Sequence, residues 1–150
     1  VVSINQAAVN LAHQATLGKE TFILGTVGGF RSQRQCDLTL DNIVEETLEQ
    51  VEALLATGQL DGLLFETYYD IEEITTVLKI VREMTDLPII TNISLHEAGV
   101  TSNGKPIVEA LSQLVMLGAD VIGLNCHLGP YDPIIEASSF ICPVLFVSLS

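Results

Sequence analysis

Five short apolar runs, each followed or preceded by a stretch of helical character, constrain this chain more than any other feature. They are Phe22–Val27, Leu63–Phe65, Pro88–Ile93, Val121–Cys126 and Pro143–Leu149. Runs of this length, rich in Val, Ile, Leu and Phe, read as strands that are apolar on both faces. Between them the apolar residues recur three and four apart. Leu40, Ile43, Val44, Leu48, Val51, Leu54 and Leu55 form one helical face between Thr39 and Thr57, with Asp41, Glu45, Glu49 and Glu52 turned outward. Ile71, Ile74, Leu78, Val81 and Met84 repeat the pattern after Asp70, which precedes Glu73 by a capping-box interval. Further helices are expected over Ile4–Leu17, closed by Gly18, over Pro106–Leu117, closed by Gly118, and from about Asp132 to Ser139. Strands separated by helices pair in parallel, which makes the fold class α/β. A doubly wound sheet and a (β/α)8 TIM barrel both obey this syntax. A barrel takes eight strands and about 250 residues. A chain of 150 residues has room for only part of a barrel, the five parallel strands counted above, and the doubly wound alternative stays open on this pattern.

Composition excludes several function classes. Hydrophobic residues make up 48%, and the mean hydropathy of +0.44 rules out a disordered chain. Six Lys and Arg face nineteen Asp and Glu, a formal charge of −13, which argues against nucleic acid and anionic membrane surfaces as partners. No apolar run approaches the ~20 residues of a membrane-spanning helix. Thirteen of the acids lie between Asp37 and Asp86, where they read as the solvated faces of two helices. Cys36, Cys126 and Cys142 are an odd count at wide spacing, a poor disulfide framework that suits a reducing cytoplasm. The start shows no signal peptide and no initiator Met, so the expectation is a piece of a longer parent.

In a parallel α/β fold, chemistry gathers where strands end. Those ends are Gly25–Gly29, Glu66–Thr67, Ser94–Glu97, Asn125–His127 and Ser148. Cys126 closes a strand and enters a loop, as a soft metal ligand or nucleophile does, or as a small buried hydrophobe. His127 points the other way if the pleat continues and reads as a surface residue. Glu66 follows an apolar strand directly, where an ionised carboxylate is costly unless paired. It either caps backbone amides or meets Arg31 or Arg34, or it holds the ammonium of a small substrate. Gly25–Gly29 lacks the G-x-G-x-x-G spacing and is a weak phosphate-loop signal. His96–Glu97 is not H-E-x-x-H; Cys36 and Cys142 read as structural, and His13 as ordinary packing.

Several segments together resemble one family. Asp61-Gly62-Leu63-Leu64-Phe65-Glu66-Thr67, followed by Asp70-Ile71-Glu72-Glu73, is similar to the "D-x-x-x-x-E-T … D-x-x-E" stretch of homocysteine S-methyltransferases. Gly118-Ala119-Asp120-Val121-Ile122-Gly123-Leu124-Asn125-Cys126 resembles that family's "G-A-D-x-x-G-x-N-C" strand. Asn5–Ala12 is similar to the helix before its third barrel strand. Among members, the likeness is nearest to bacterial bifunctional proteins that carry a fused methylenetetrahydrofolate reductase domain.

The resemblance implies a (β/α)8 barrel that binds one zinc through three cysteines and methylates the thiol of homocysteine to give methionine. By position, Cys126 corresponds to the first zinc cysteine, Glu66 to the acid that contacts the substrate amino group, and Asn125 to the motif asparagine that supports the site. Methyltetrahydrofolate, a cobalamin carrier, S-methylmethionine and S-adenosylmethionine all serve relatives as methyl donors. The later "G-G-C-C" motif with the other two zinc ligands is absent, as is the first strand with "D-G-x-x-G-T". Gly28-Gly29-Phe30-Arg31 replaces the usual Gly-Pro pattern, and the end at Ser148-Leu149-Ser150 lacks the expected Pro-Asn. The expectation is the middle of one homocysteine-binding barrel over residues 1–150, with the activity belonging to the parent. Two other readings stand beside it: a non-catalytic module whose open sheet edges need a partner, and an α/β enzyme holding an anionic ligand at Gly25–Gly29 with Arg31 and Arg34.

Overall fold

The computed structural model describes residues 1–31, 38–95 and 99–125, together with the backbone of 145–148. The elements are α1 (Val2–Thr16), β1 (Leu24–Gly28), α2 (Leu40–Leu55), β2 (Gly62–Tyr68), α3 (Ile71–Met84), β3 (Ile89–Ile93), α4 (Ile107–Met116), β4 (Val121–Asn125) and β5 (Leu145–Ser148). The five strands pair in parallel in the order β1-β2-β3-β4-β5. Strand order decides between the two architectures left open by the sequence. A doubly wound sheet reverses direction at a switch point, whereas a barrel adds each strand beside the one before. Sequential order without reversal is the order of a barrel segment.

One face of the sheet carries the core. Val27, Leu63, Phe65, Ile89, Ile93, Ile122 and Leu124 are buried against Val51 and Leu54 of α2, Ile74, Leu78 and Val81 of α3, and Ile107, Leu111 and Leu114 of α4. The stripes read from the sequence account for this packing, with Val77 joining the α3 stripe while Met84 stands exposed at its end. Thr39 caps α2 by accepting the Asn42 N–H, and Asp70 caps α3 by accepting those of Glu72 and Glu73.

Some expectations need correction. The first strand runs two residues later than Phe22, and it is buried on one face only: Val27 is buried while Leu24 and Thr26 are exposed. Just before it, the Ile23 N–H donates to Asp61 Oδ2 at 2.7 Å and the Ile23 carbonyl accepts the Asp61 N–H at 2.8 Å. The same device recurs two strands on, where Asp120 Oδ2 accepts the Ile89 N–H at 2.8 Å and the Asp120 N–H donates to the Ile89 carbonyl at 2.9 Å. These two acids stand just before β2 and β4 and lock strand register at the end of the sheet remote from the strand C-termini. His13 is exposed rather than packed. The expected helix over Asp132–Ser139 lies outside the described residues. Among those described, no helix is long and apolar enough to cross a membrane.

Candidate functional site

The face of the sheet opposite the helices changes character towards the strand C-termini. Its lower layer is Thr26, Leu64, Ile90 and Val121, paired in register. The next layer holds Gly28 beside Glu66, and Asn92 beside Gly123. Here β2 departs from regular pairing. Phe65 pairs with Thr91 and Tyr68 with Ile93, so Glu66 and Thr67 both stand opposite the single residue Asn92. This is a β-bulge, a device that re-aims side chains at functional sites. Its second residue, Thr67, takes φ +62, a conformation costly for a β-branched side chain.

Asn125, at the end of β4, holds the bulge in place. Its Oδ1 accepts the Thr67 N–H at 3.2 Å and its Nδ2 donates to Thr67 Oγ1 at 3.2 Å. Ser94 Oγ lies 2.8 Å from the Asn125 carbonyl and 3.2 Å from Asn125 Oδ1, so its single proton serves one of them at a time. Buried Asn125 thus ties the ends of three strands together.

Glu66 is half-buried, on the open face and not in the core. Neither Arg31 nor any other described cation pairs with it. Arg31 is committed elsewhere, with Nη1 2.9 Å from Asp70 Oδ2 and 3.3 Å from Glu72 Oε2. The Asp70 hydrogen bond holds the guanidinium above its ordinary pKa. Arg34 lies outside the described residues.

The buried carboxylate of this region is Glu73. It does not complete the capping box on Asp70. Its two oxygens instead accept the N–H groups of Phe30, at 2.7 Å, and Arg31, at 3.0 Å. Burial raises its pKa, while those two bonds oppose the rise. A sequence signal for this existed, since Glu73 lies four and eight residues before buried Val77 and Val81 on the apolar stripe. The Tyr68 hydroxyl nearby is buried with no hydrogen-bond partner among the described residues, and burial keeps it protonated well above its ordinary range.

The same contacts weigh against an anion site at Gly25–Gly29. The amides that follow the glycines already hold Glu73, and Arg31 already holds two carboxylates. Gly25 and Gly29 have a plainer reason. A Cβ on Gly25 would lie 2.8 Å from Leu60 Cδ1, and one on Gly29 would lie 3.0 Å from Tyr68 Cδ1 and 3.1 Å from the Thr67 carbonyl oxygen. At Gly28 a Cβ would meet nothing, so the space beside Glu66 is open.

Cys126, the expected zinc ligand, follows Asn125 directly but lies outside the described residues, as do His127, Cys36, Cys142, His96 and Glu97. Among the described residues no three His, Cys, Asp or Glu side chains gather into a metal-holding group. Those residues do not themselves constitute a zinc site. A cleft lined by His13, Leu17, Lys19, Gln59 and Asp61 lies at the other end of the sheet from Glu66.

Residues 1–147 match the family model for homocysteine S-methyltransferase. The chain belongs to the homocysteine S-methyltransferase family. Methionine synthase of Mycobacterium tuberculosis is 26% identical over 119 residues, covering 76% of this chain and 10% of that protein. Betaine–homocysteine S-methyltransferase 1 of Danio rerio is 25% identical over 127 residues, covering 85% of this chain and 31% of that protein. The apo crystal structure of the homocysteine methyltransferase MmuM from Escherichia coli superposes with a TM-score of 0.84 at 19% identity, covering 99% of this chain and 60% of that one. Its metallated form gives 0.73 at the same identity, covering 95% and 53%. This methyltransferase-family chain therefore spans only part of the length of the proteins it matches, with their fold.

Proposed function

We propose that the whole protein transfers a methyl group to the thiol of homocysteine, giving methionine, and that residues 1–150 form the middle of its (β/α)8 barrel. One observation carries the reading within a family of this activity: Glu66 presents a half-buried carboxylate that no described side chain pairs with, at the C-terminal end of β2, beside Gly28, where a Cβ would meet nothing. An acceptor so placed binds the substrate ammonium, because a half-buried carboxylate is stabilised by a cation that replaces lost water. Asn125 acts through the backbone. It holds Thr67 and hence the direction in which Glu66 leaves the strand.

Cys126, next in the chain after Asn125, is assigned as one thiolate ligand of a zinc ion, with the remaining ligands contributed from beyond these residues. Bound there, zinc lowers the pKa of the substrate thiol. The methyl donor is one of the family's range: methyltetrahydrofolate, a cobalamin carrier, S-methylmethionine, S-adenosylmethionine, or the betaine named for the Danio rerio relative. A fused reductase domain and a cytoplasmic location belong to the same proposal, the location resting on the sparse, odd-numbered cysteines.

The test is the zinc content of the reduced whole protein. A zinc-to-protein ratio near one that collapses in Cys126→Ala is expected. A ratio unmoved by that substitution overturns the ligand assignment.

A further inference from the structure

The polar side chain least explained by the fold is Asn92. It sits in β3, fully buried, and among the described residues neither its Oδ1 nor its Nδ2 has a hydrogen-bond partner. Buried carboxamides are nearly always satisfied, and an orphaned donor or acceptor carries its full desolvation penalty. Its neighbours Thr91 and Ser94 show what satisfaction looks like here, donating to the carbonyls of Val121 and Asn125. Asn92 is on the opposite face of β3 from Thr91, in the layer that carries Glu66.

Three features aim that layer at a small ligand. The bulge sets Glu66 and Thr67 together opposite Asn92. The flanking positions on β1 and β4 are glycines, Gly28 and Gly123, so Glu66 and Asn92 are the side chains of the layer across β1 to β4. On the β1 side of Glu66, a Cβ built on Gly28 would meet no atom within 4 Å. No described Lys or Arg lies in this layer, so beside the Glu66 acceptor the donor it offers a carboxylate is the neutral Asn92 Nδ2.

We infer that Asn92 is a second polar arm of the amino-acid site: beside Glu66, which takes the ammonium, its Nδ2 donates to the substrate α-carboxylate. The inference rests on the homocysteine reading above and names a specificity-determining residue for it. A ligand that needs one acceptor and one donor finds both in adjacent strands, and a site built this way rejects analogues that leave its polar groups unpaired.

The experiment is steady-state kinetics of the whole protein with homocysteine, comparing wild type with Asn92→Leu and Asn92→Asp, together with ligand-free melting temperatures. Leu removes both polar atoms at similar volume. Asp keeps the shape but replaces the donor with an acceptor. The homocysteine KM is expected to rise about tenfold or more in both, the loss typical of a hydrogen bond to a charged group. The kcat should stay within about twofold, and the Asn92→Leu melting temperature should not fall, since an unpaired buried amide has been removed. A melting temperature that drops with KM unmoved shows that Asn92 serves the fold and overturns the assignment. If Asn92→Leu is insoluble, an Asn92→Asp protein of unchanged KM overturns it equally. Wild-type protein that forms no methionine from homocysteine overturns the underlying reading, and this assignment with it; active wild type with unmoved KM in the variants removes Asn92 alone.

Discussion

Asn125 grips Thr67 with both ends of its carboxamide, Oδ1 on the backbone N–H and Nδ2 on Oγ1, each at 3.2 Å. Thr67 is the one described non-glycine residue at positive φ. The strain of the bulge and the clamp that holds it are thus one unit. Asn125→Ala is expected to cost about 1–3 kcal/mol, because buried donors are left unmet. Thr67→Gly should recover part of this in the Asn125→Ala background, since glycine adopts that φ without the penalty of about 1–2 kcal/mol borne by other residues. A urea double-mutant cycle reads the coupling, and additive effects would contradict it.

Two neighbouring glycines should respond in opposite ways. Gly29→Ala drives a Cβ against Tyr68 and the Thr67 carbonyl, so it should destabilise the protein by about 1–3 kcal/mol. Gly28→Ala meets no atom and should leave stability unchanged while raising the homocysteine KM by filling the space beside Glu66. Equal loss of stability in both would refute this account of the loop.

The motif acids Asp61 and Asp120 are register locks, remote from the chemistry. Asp120→Ala is expected to cost more than Asp61→Ala. Each loses a backbone hydrogen bond worth about 1 kcal/mol, and Asp120 also loses Arg82, 3.1 Å away. Arg82 further ties down the carbonyls of Thr85 and Leu87. Denaturant midpoints check the order, and neither substitution should move zinc content.

Glu73 gives a pH signature. Its pKa in the folded protein is raised by burial, so between the ordinary glutamate value and the raised one the folded state binds more proton than the unfolded. Its contribution is therefore fully present at acid pH and declines as pH rises through that window. The stability of wild type relative to Glu73→Gln should fall from pH 4 towards neutrality, by urea unfolding at stepped pH. A difference that grows with pH would contradict the direction.

Helix stripes and buried strands were legible because both follow from local periodicity, and Gly18, Gly58 and Gly118 do stand at positive φ where helices or turns close. The barrel order was not, because local pattern is the same for both α/β architectures. Neither was the bulge, which depends on a threonine and an asparagine 58 residues apart. For Glu73 the stripe position was legible but its partners were not, because they are backbone amides of a distant loop, which leave no mark on residue identity. Glu66 stood out because a carboxylate directly after Leu63-Leu64-Phe65 breaks an apolar pattern, and no described cation pairs with it on the open face.

The most direct measurement is methionine formation by the whole protein supplied with homocysteine and each of the family's methyl donors in turn, alongside Glu66→Gln and Cys126→Ala. The account predicts methionine from at least one donor, a homocysteine KM raised about tenfold or more in Glu66→Gln, as for a lost charged hydrogen bond, with zinc retained, and no product from Cys126→Ala. Undiminished methionine formation by both variants would contradict it.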